Sequence, residues 1–78
     1  MTITERKFHV SERGPNAREV GEMTMHSLFQ HLHTQFLSTL GWEAAFDKAE
    51  ETVEEAELEG VVAVQISGDK WIDICLAT

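Results

Sequence analysis

The side chains of this chain that could bind or react are concentrated in one acidic segment, residues 42–60. This segment holds eight of the 14 Asp and Glu residues and a single cation, Lys48, whereas residues 1–41 carry four acids and four bases. A helix predicted here would place six of the carboxylates on one arc, opposite its apolar stripe. We expect this arc, the acidic face, to bind a partner through Glu43, Asp47, Glu50, Glu51, Glu54 and Glu55.

The carboxylates of the acidic face destabilise their own helix. A near-straight row roughly 16 Å long is formed by Glu43, Asp47, Glu50 and Glu54. Like charges at this spacing repel by a few tenths of a kcal/mol per pair, and acids near the C-terminus oppose the helix dipole. Two interpretations stay open. The face is either a solvated surface, the commoner role of such runs, or a docking surface for a basic protein, including a groove built for phosphates.

The four histidines lack the spacing of a metal site. Two ligands on one helix need positions i and i+4, whereas His26 and His33 are at i and i+7, about 10 Å apart along the axis. His31 points to another side, and the EF-hand pattern of calcium sites is absent. We therefore expect no metal and no other cofactor. The alternative is a metal-binding subunit whose site joins His26 and His33 to His9 or to a second copy.

No set of residues predicts an enzyme. Cys75 is the single cysteine, has no basic neighbour in sequence that would favour its thiolate, and is interpreted as a structural small hydrophobe. Ser38 and Ser67 lack the turn that presents a serine nucleophile, and the five glycines are too dispersed to cradle a phosphate. The chain is predicted to be non-enzymatic, with no catalytic residue.

The two tryptophans have different predicted roles. Trp42 starts the acidic helix on its apolar side and is predicted to be a core residue. Trp71 follows the last turn and is either a core-edge residue or a contact residue. Tryptophan is enriched at binding hot spots, so Trp71 joins the expected partner-binding residues.

Hydrophobic periodicity predicts the elements that position these residues. Residues 3–12 alternate like a half-buried strand, residues 14–16 (Gly-Pro-Asn) predict a turn, and residues 17–22 fit a short strand or a loop. A first helix is predicted for residues 25–40. A second helix is predicted for residues 42–58, and the two form a helical hairpin or one kinked helix. The buried stripe of the second helix is predicted to be Trp42, Ala45, Phe46, Ala49, Val53 and Ala56.

The C-terminal residues 61–67 and 71–78 predict a β-hairpin. A two-residue turn at Gly68-Asp69 would pair Val64 with Asp73 and mix apolar with polar residues. A three-residue loop places six apolar side chains on one buried face, and we prefer it because register follows the face that is buried. This loop pairs Val62, Val64 and Ile66 with Leu76, Ile74 and Ile72.

The predicted architecture is a single α+β domain, residues 1–78. Its order is strand, helix, helix, strand, strand, with both helices on one face of an antiparallel sheet of three or four strands. A chain of 78 residues buries about 63% of its surface on folding, which is enough for one modest core but leaves little room for a deep substrate cavity.

Composition disfavours several classes of function. The formal net charge of -8 argues against direct binding to nucleic acid or to anionic membranes. No apolar run has the length of a signal peptide or of a membrane span. A single cysteine cannot form an intramolecular disulfide, so we expect a cytoplasmic protein.

The expected function is that of a small acidic protein-binding module whose acidic helix docks on a basic surface, such as that of a nucleic-acid-binding complex. Small size, acidity and an α+β layout are common among inhibitor proteins of phages and mobile elements. This is a similarity of general type, and no sequence motif supports it. The alternative is a homo-oligomeric structural protein, such as a homodimer, that assembles through its C-terminal strand, residues 71–78.

Overall fold

A computed structural model describes residues 6–15 and 17–77 and shows a four-stranded antiparallel sheet with two helices. The predicted α+β class is confirmed, and residues 17–22 fall mostly within a strand. The predicted strand at residues 3–12 is seen from Lys7 onwards, and its residues 3–5 lie outside the described part of the chain. In chain order the elements are β1 Lys7–Arg13, β2 Arg18–Thr24, α1 Met25–Phe36, α2 Trp42–Glu59, β3 Val61–Ser67 and β4 Lys70–Leu76.

The strand order across the sheet is β2-β1-β4-β3. β4 lies between β1 and β3 and pairs with both along its length, for example Ile74 with Val10 on one side and with Val62 on the other. The predicted oligomer contact through residues 71–78 is therefore wrong, because the backbone groups of this strand are already paired within the chain; Thr78 itself lies outside the described residues.

The β3–β4 hairpin has the predicted buried face in a different register. Its pairs include Val62 with Ile74 and Val64 with Ile72, so each partner in β4 lies two residues before the predicted one. The chain uses the two-residue Gly68-Asp69 turn that we rejected, and the register then shifts between Gln65 and Ser67. This β-bulge adds one residue to β3 and returns the apolar side chains to a common face.

The two helices form a hairpin on one side of the sheet. Thr24 caps α1, where its hydroxyl accepts a hydrogen bond from the Ser27 N–H at 3.2 Å. α1 ends at Phe36, four residues earlier than predicted, since the hydroxyl of Ser38 donates to the Gln35 carbonyl at 2.7 Å and the chain turns there. α2 ends as predicted at Gly60, whose φ of 84° is the left-handed cap that glycine adopts readily.

The core lies between the helices and the sheet. α2 contributes small side chains, since Ala45, Ala49 and Ala56 are fully buried, and the helix can therefore lie close to the strands. The larger fully buried side chains come from β1, β4 and α1: Phe8, Val10, Ile72, Ile74, Leu28 and Leu32. The opposite side of the sheet, which we call the open face, is not covered by either helix.

Candidate docking surface

The acidic face predicted from sequence is present on α2. The helix is continuous through this segment, and its buried alanines face the sheet, so the carboxylates point away from it. Within residues 6–15 and 17–77, no ion pair closer than 4.0 Å involves these carboxylates. The six exposed side chains are Glu43, Asp47, Glu50, Glu51, Glu54 and Glu55.

Several cations of the chain pair elsewhere. The guanidinium of Arg13 donates to both carboxylate oxygens of Asp73 at 2.6 and 3.0 Å, and this contact raises the pKa of Arg13. Arg18 donates to Glu12 at 3.3 Å. These basic side chains are therefore engaged on the sheet, away from the acidic face.

An apolar groove borders the acidic face on its α1 side. Met25, Phe29 and Val53 form its apolar lining, and the groove has a volume of about 480 Å³. Glu50 and Glu54 of the acidic face stand along the same groove. Apolar surface thus lies next to exposed negative charge, as in protein interfaces that have an apolar centre and a polar rim.

An aromatic cluster lies at the N-terminal end of α2. The Trp42 ring stacks on Phe46 at 5.4 Å between centroids, and His33 meets Trp42 edge-on at 5.0 Å. Trp42 is nonetheless 62% exposed, so its predicted place in the core is wrong. The buried stripe of α2 begins one turn later, at Ala45, and the aromatic pair Trp42 and Phe46 lies beside it.

Trp71 does not belong to this surface. It lies on the open face, where the Arg13 guanidinium stands 5.5 Å from the ring centroid in a cation–π contact. The structure therefore places Trp71 and the acidic face on opposite layers of the molecule. Cys75 shares the open face and is exposed, which contradicts its interpretation as a packed hydrophobe.

The structure separates the histidines of the alternative metal site. His9 lies on the open face and bonds to Glu19 at 2.8 Å, whereas His33 lies on α1 and bonds to the Trp42 carbonyl at 3.3 Å. His26 is exposed on α1. In the described part of the chain, no three His, Cys, Asp or Glu side chains gather where a metal ion could be held. The alternative site that joins His26 and His33 to His9 is therefore wrong, and the version completed by a second copy stays an alternative.

A buried polar cluster on the helix side of the sheet was missed by sequence reasoning. Glu12 of β1 is only 8% exposed, and its carboxylate lies 3.3 Å from Arg18 Nε, 3.5 Å from His31 Nε2 and 4.0 Å from Lys70 Nζ. Lys70 in turn donates to Gln35 Oε1 at 2.7 Å. Glu12 alternates in phase with Phe8 and Val10 along β1, so the sequence did indicate that its side chain lies on the buried side of the sheet.

Burial of this cluster lowers the pKa of His31. The loss of hydration is the largest cause, the charges of Lys70 and Arg18 act in the same direction, and Glu12 opposes them. His31 is therefore neutral in the folded protein at pH 7, and its Nε2 and the Glu12 Oε2 are buried without a hydrogen-bond partner among the described residues.

The His31 environment predicts a loss of stability in mild acid. The unfolded chain takes up the His31 proton near pH 6.5, before the folded chain does, so stability is complete above that pH and decreases as the pH falls towards the lower folded pKa. We expect His31→Gln to flatten the decrease below pH 6.5, measured by urea unfolding. His26→Gln, at an exposed position, is the control; equal curves for the two variants would contradict the prediction.

Comparison with known proteins gives no relative from which a role could be transferred. No protein-family model, no curated protein and no solved structure matches the chain. Neither described helix combines the length and the apolar character that crossing a membrane requires. The chemistry of the acidic face and its neighbouring groove is therefore the basis for a functional proposal.

Proposed function

We propose that this chain is a non-enzymatic protein-binding module that docks its acidic face on a basic surface of another protein. The supporting observation is the set of six exposed carboxylates on one helix, with no ion pair to a cation in the described residues. Repulsion along this helix costs the free chain a few tenths of a kcal/mol per neighbouring pair. A basic partner would relieve this repulsion, so complex formation gains from it.

The groove and the aromatic cluster would add apolar contact to the charge. Trp42 is the most exposed aromatic side chain beside the acidic face, and tryptophan is among the residues that dominate binding energies. The groove lined by Met25, Phe29 and Val53 would accept an apolar side chain of the partner. Charge would then set the approach and the orientation, and apolar burial would slow dissociation.

The charge density of the acidic face favours a nucleic-acid-binding complex as the partner. Six carboxylates from Glu43 to Glu55 span about 18 Å of helix axis, so their average spacing along the axis is about 3.6 Å. A single nucleic-acid strand carries about one charge per 3.4 Å of duplex axis. A groove of Arg and Lys side chains that binds phosphates would therefore meet a similar line of charge, and the chain would inhibit such a complex by occupying it.

Neutralising the acidic row tests this function. We expect Glu43→Gln, Asp47→Gln, Glu50→Gln and Glu54→Gln together to reduce capture of basic proteins from a cell lysate about tenfold or more, since each exposed ion pair contributes about 0.2–1 kcal/mol. Capture by the unchanged chain is expected to decrease steeply between low and high salt.

The matched control removes the same number of charges outside the acidic row. It carries Glu19→Gln, Glu22→Gln, Glu59→Gln and Asp69→Asn, and we expect it to retain capture. Binding that does not respond to salt, or an equal loss in the two variants, would overturn the proposed function.

A further inference from the structure

β3 is an edge strand of unusual composition. It has a neighbour, β4, on one side only, and its seven residues VVAVQIS include no charge and no proline. Edge strands are usually protected from further pairing by charged residues, proline or bulges. The other edge, β2, carries Arg18, Glu19 and Glu22, whereas β3 has only its bulge near Ile66. β3 therefore presents an edge with little protection.

The backbone groups that β3 directs outward can be assigned. Leu76 N–H donates to the Gly60 carbonyl at 2.7 Å. Val62 and Val64 are in phase with Gly60, so their backbone N–H and C=O groups also point towards β4. The groups of Val61, Ala63 and Gln65 consequently point to the unpaired edge. An added strand would hydrogen-bond to these three residues.

An open groove runs between this edge and α2. It has a volume of about 330 Å³ and is lined by part of β3 and by Lys48, Glu51, Thr52 and Glu55. The Thr52 hydroxyl is engaged with the Lys48 carbonyl at 2.7 Å. The two carboxylates are exposed and outnumber the single lysine, so the groove is negative.

We propose that this groove binds an extended segment of another protein with Lys or Arg at alternate positions, added as a fifth strand beside β3. The inference rests on the proposed function, since it assigns a partner chemistry to part of the acidic face. Residues of the added strand opposite Val62 and Val64 would share the helix side of the sheet and reach Glu51 and Glu55. The residues between them would lie on the open face, beside Val61 and Ala63.

The spacing of the two carboxylates fits this geometry. Four residues of helix separate Glu51 from Glu55 by about 6 Å along the axis. Two residues of extended strand separate alternate side chains by about 6.8 Å. Val61 is 63% exposed and gives the intervening side chains apolar surface to cover. The expected pattern is therefore basic, apolar, basic. When an edge strand binds a peptide, backbone hydrogen bonds supply affinity and alternate side chains supply specificity.

Charge disfavours a second copy of this chain as the occupant. A second β3 would bring no cation to Glu51 and Glu55, because the strand is uncharged. The second copy would also bring its own α2 towards the contact. Glu51 and Glu55 of one copy would then lie near the same residues of the other, and only Lys48 of each copy would offset the repulsion. A basic segment removes this repulsion.

Two synthetic peptides of equal composition test the proposal. TKVKVKT has alternating lysines, and TKKVTKV has the same residues with no two lysines two positions apart. We expect only the alternating peptide to slow amide hydrogen exchange at Val61, Ala63 and Gln65 of the intact chain. Equal affinity for the two peptides, or slowed exchange elsewhere only, would overturn the proposal. Slowed exchange at these amides without any peptide, in a chain that sediments as a dimer, would assign the edge to a second copy instead.

Variants of the chain separate the groove from the rest of the acidic face. We expect the double variant Glu51→Gln, Glu55→Gln to bind TKVKVKT about tenfold more weakly. The matched double variant Glu43→Gln, Asp47→Gln is expected to change the affinity for this peptide less than threefold. Ala63→Pro removes an outward N–H without touching the bonds to β4, and we expect it to abolish binding. If this variant does not fold, the exchange measurement on the unchanged chain decides.

The failure of the inference differs from that of the proposed function. If the two double variants lower the affinity for the peptide equally, the basic segment binds the acidic face in general. The assignment of the segment to the groove is then wrong, and the proposed function stands. If the peptide binds in the groove but lysate capture ignores both salt and the acidic row, the proposed function fails while the edge site remains.

Discussion

Replacing Phe8 with alanine is expected to lower the free energy of unfolding by about 3–5 kcal/mol, a large share of the roughly 5–15 kcal/mol that a domain has in total. Phe8 is fully buried on β1, opposite Met23 of β2 and Leu76 of β4. Its removal leaves a cavity where these three strands meet the helices. Urea unfolding followed by circular dichroism would measure the loss.

The control for Phe8→Ala is Leu58→Ala. Leu58 lies near the end of α2 and is 82% exposed, so its truncation is expected to change stability by less than about 0.5 kcal/mol. If the two variants lost similar stability, the side chains of β1 would not form the centre of the core, and the assignment of the helix-facing side would be wrong.

Enlarging Ala49 to leucine is expected to cost about 1–3 kcal/mol. Ala49 is fully buried where α2 lies against the sheet, as are Ala45 and Ala56, and a longer side chain would push the helix away. Thermal unfolding of Ala49→Leu would show the loss as a lowered Tm. Ala44→Leu is the matched control, because Ala44 is exposed on the same helix and leucine has nearly the same helix propensity as alanine.

The Ala49 variant also reports on the docking surface. A displaced α2 would move the acidic face and open the groove beside β3, so we expect weaker capture of basic partners from the same substitution. If Ala44→Leu destabilised the chain as much as Ala49→Leu, the close approach of α2 to the sheet would not be what stabilises this layer.

Sequence periodicity predicted the elements better than their pairing. The phase of β3 and β4 identified the buried side chains, because alternation along each strand is a local property. The pairing register was missed because the bulge next to Ile66 adds a residue that no local pattern reveals. Likewise, the apolar spacing of α1 continued to Leu40, but hydrogen bonds from Ser38 and Thr39 to the last carbonyls end the helix at Phe36.

The acidic face could be predicted because charge and helical phase are both readable from the chain. The apolar groove and the aromatic cluster beside it could not be predicted, since they depend on how α1 and α2 cross. Trp42 had an apolar phase that predicted burial, yet it precedes Ala45, the first buried residue of α2, and is 62% exposed. Glu12 had the phase of a core residue but a polar side chain, and only the approach of Arg18, His31 and Lys70 explains its burial.

The central position of β4 has a consequence for how the chain folds during translation. β1 and β4 come from opposite ends of the described chain, so the middle of the sheet closes only after β4 has left the ribosome. Until then the β1–β2 hairpin has no partner on one side, and Phe8 and Val10 lack the neighbours that bury them. The nascent chain is therefore expected to keep Phe8 and Val10 exposed until the last strand inserts.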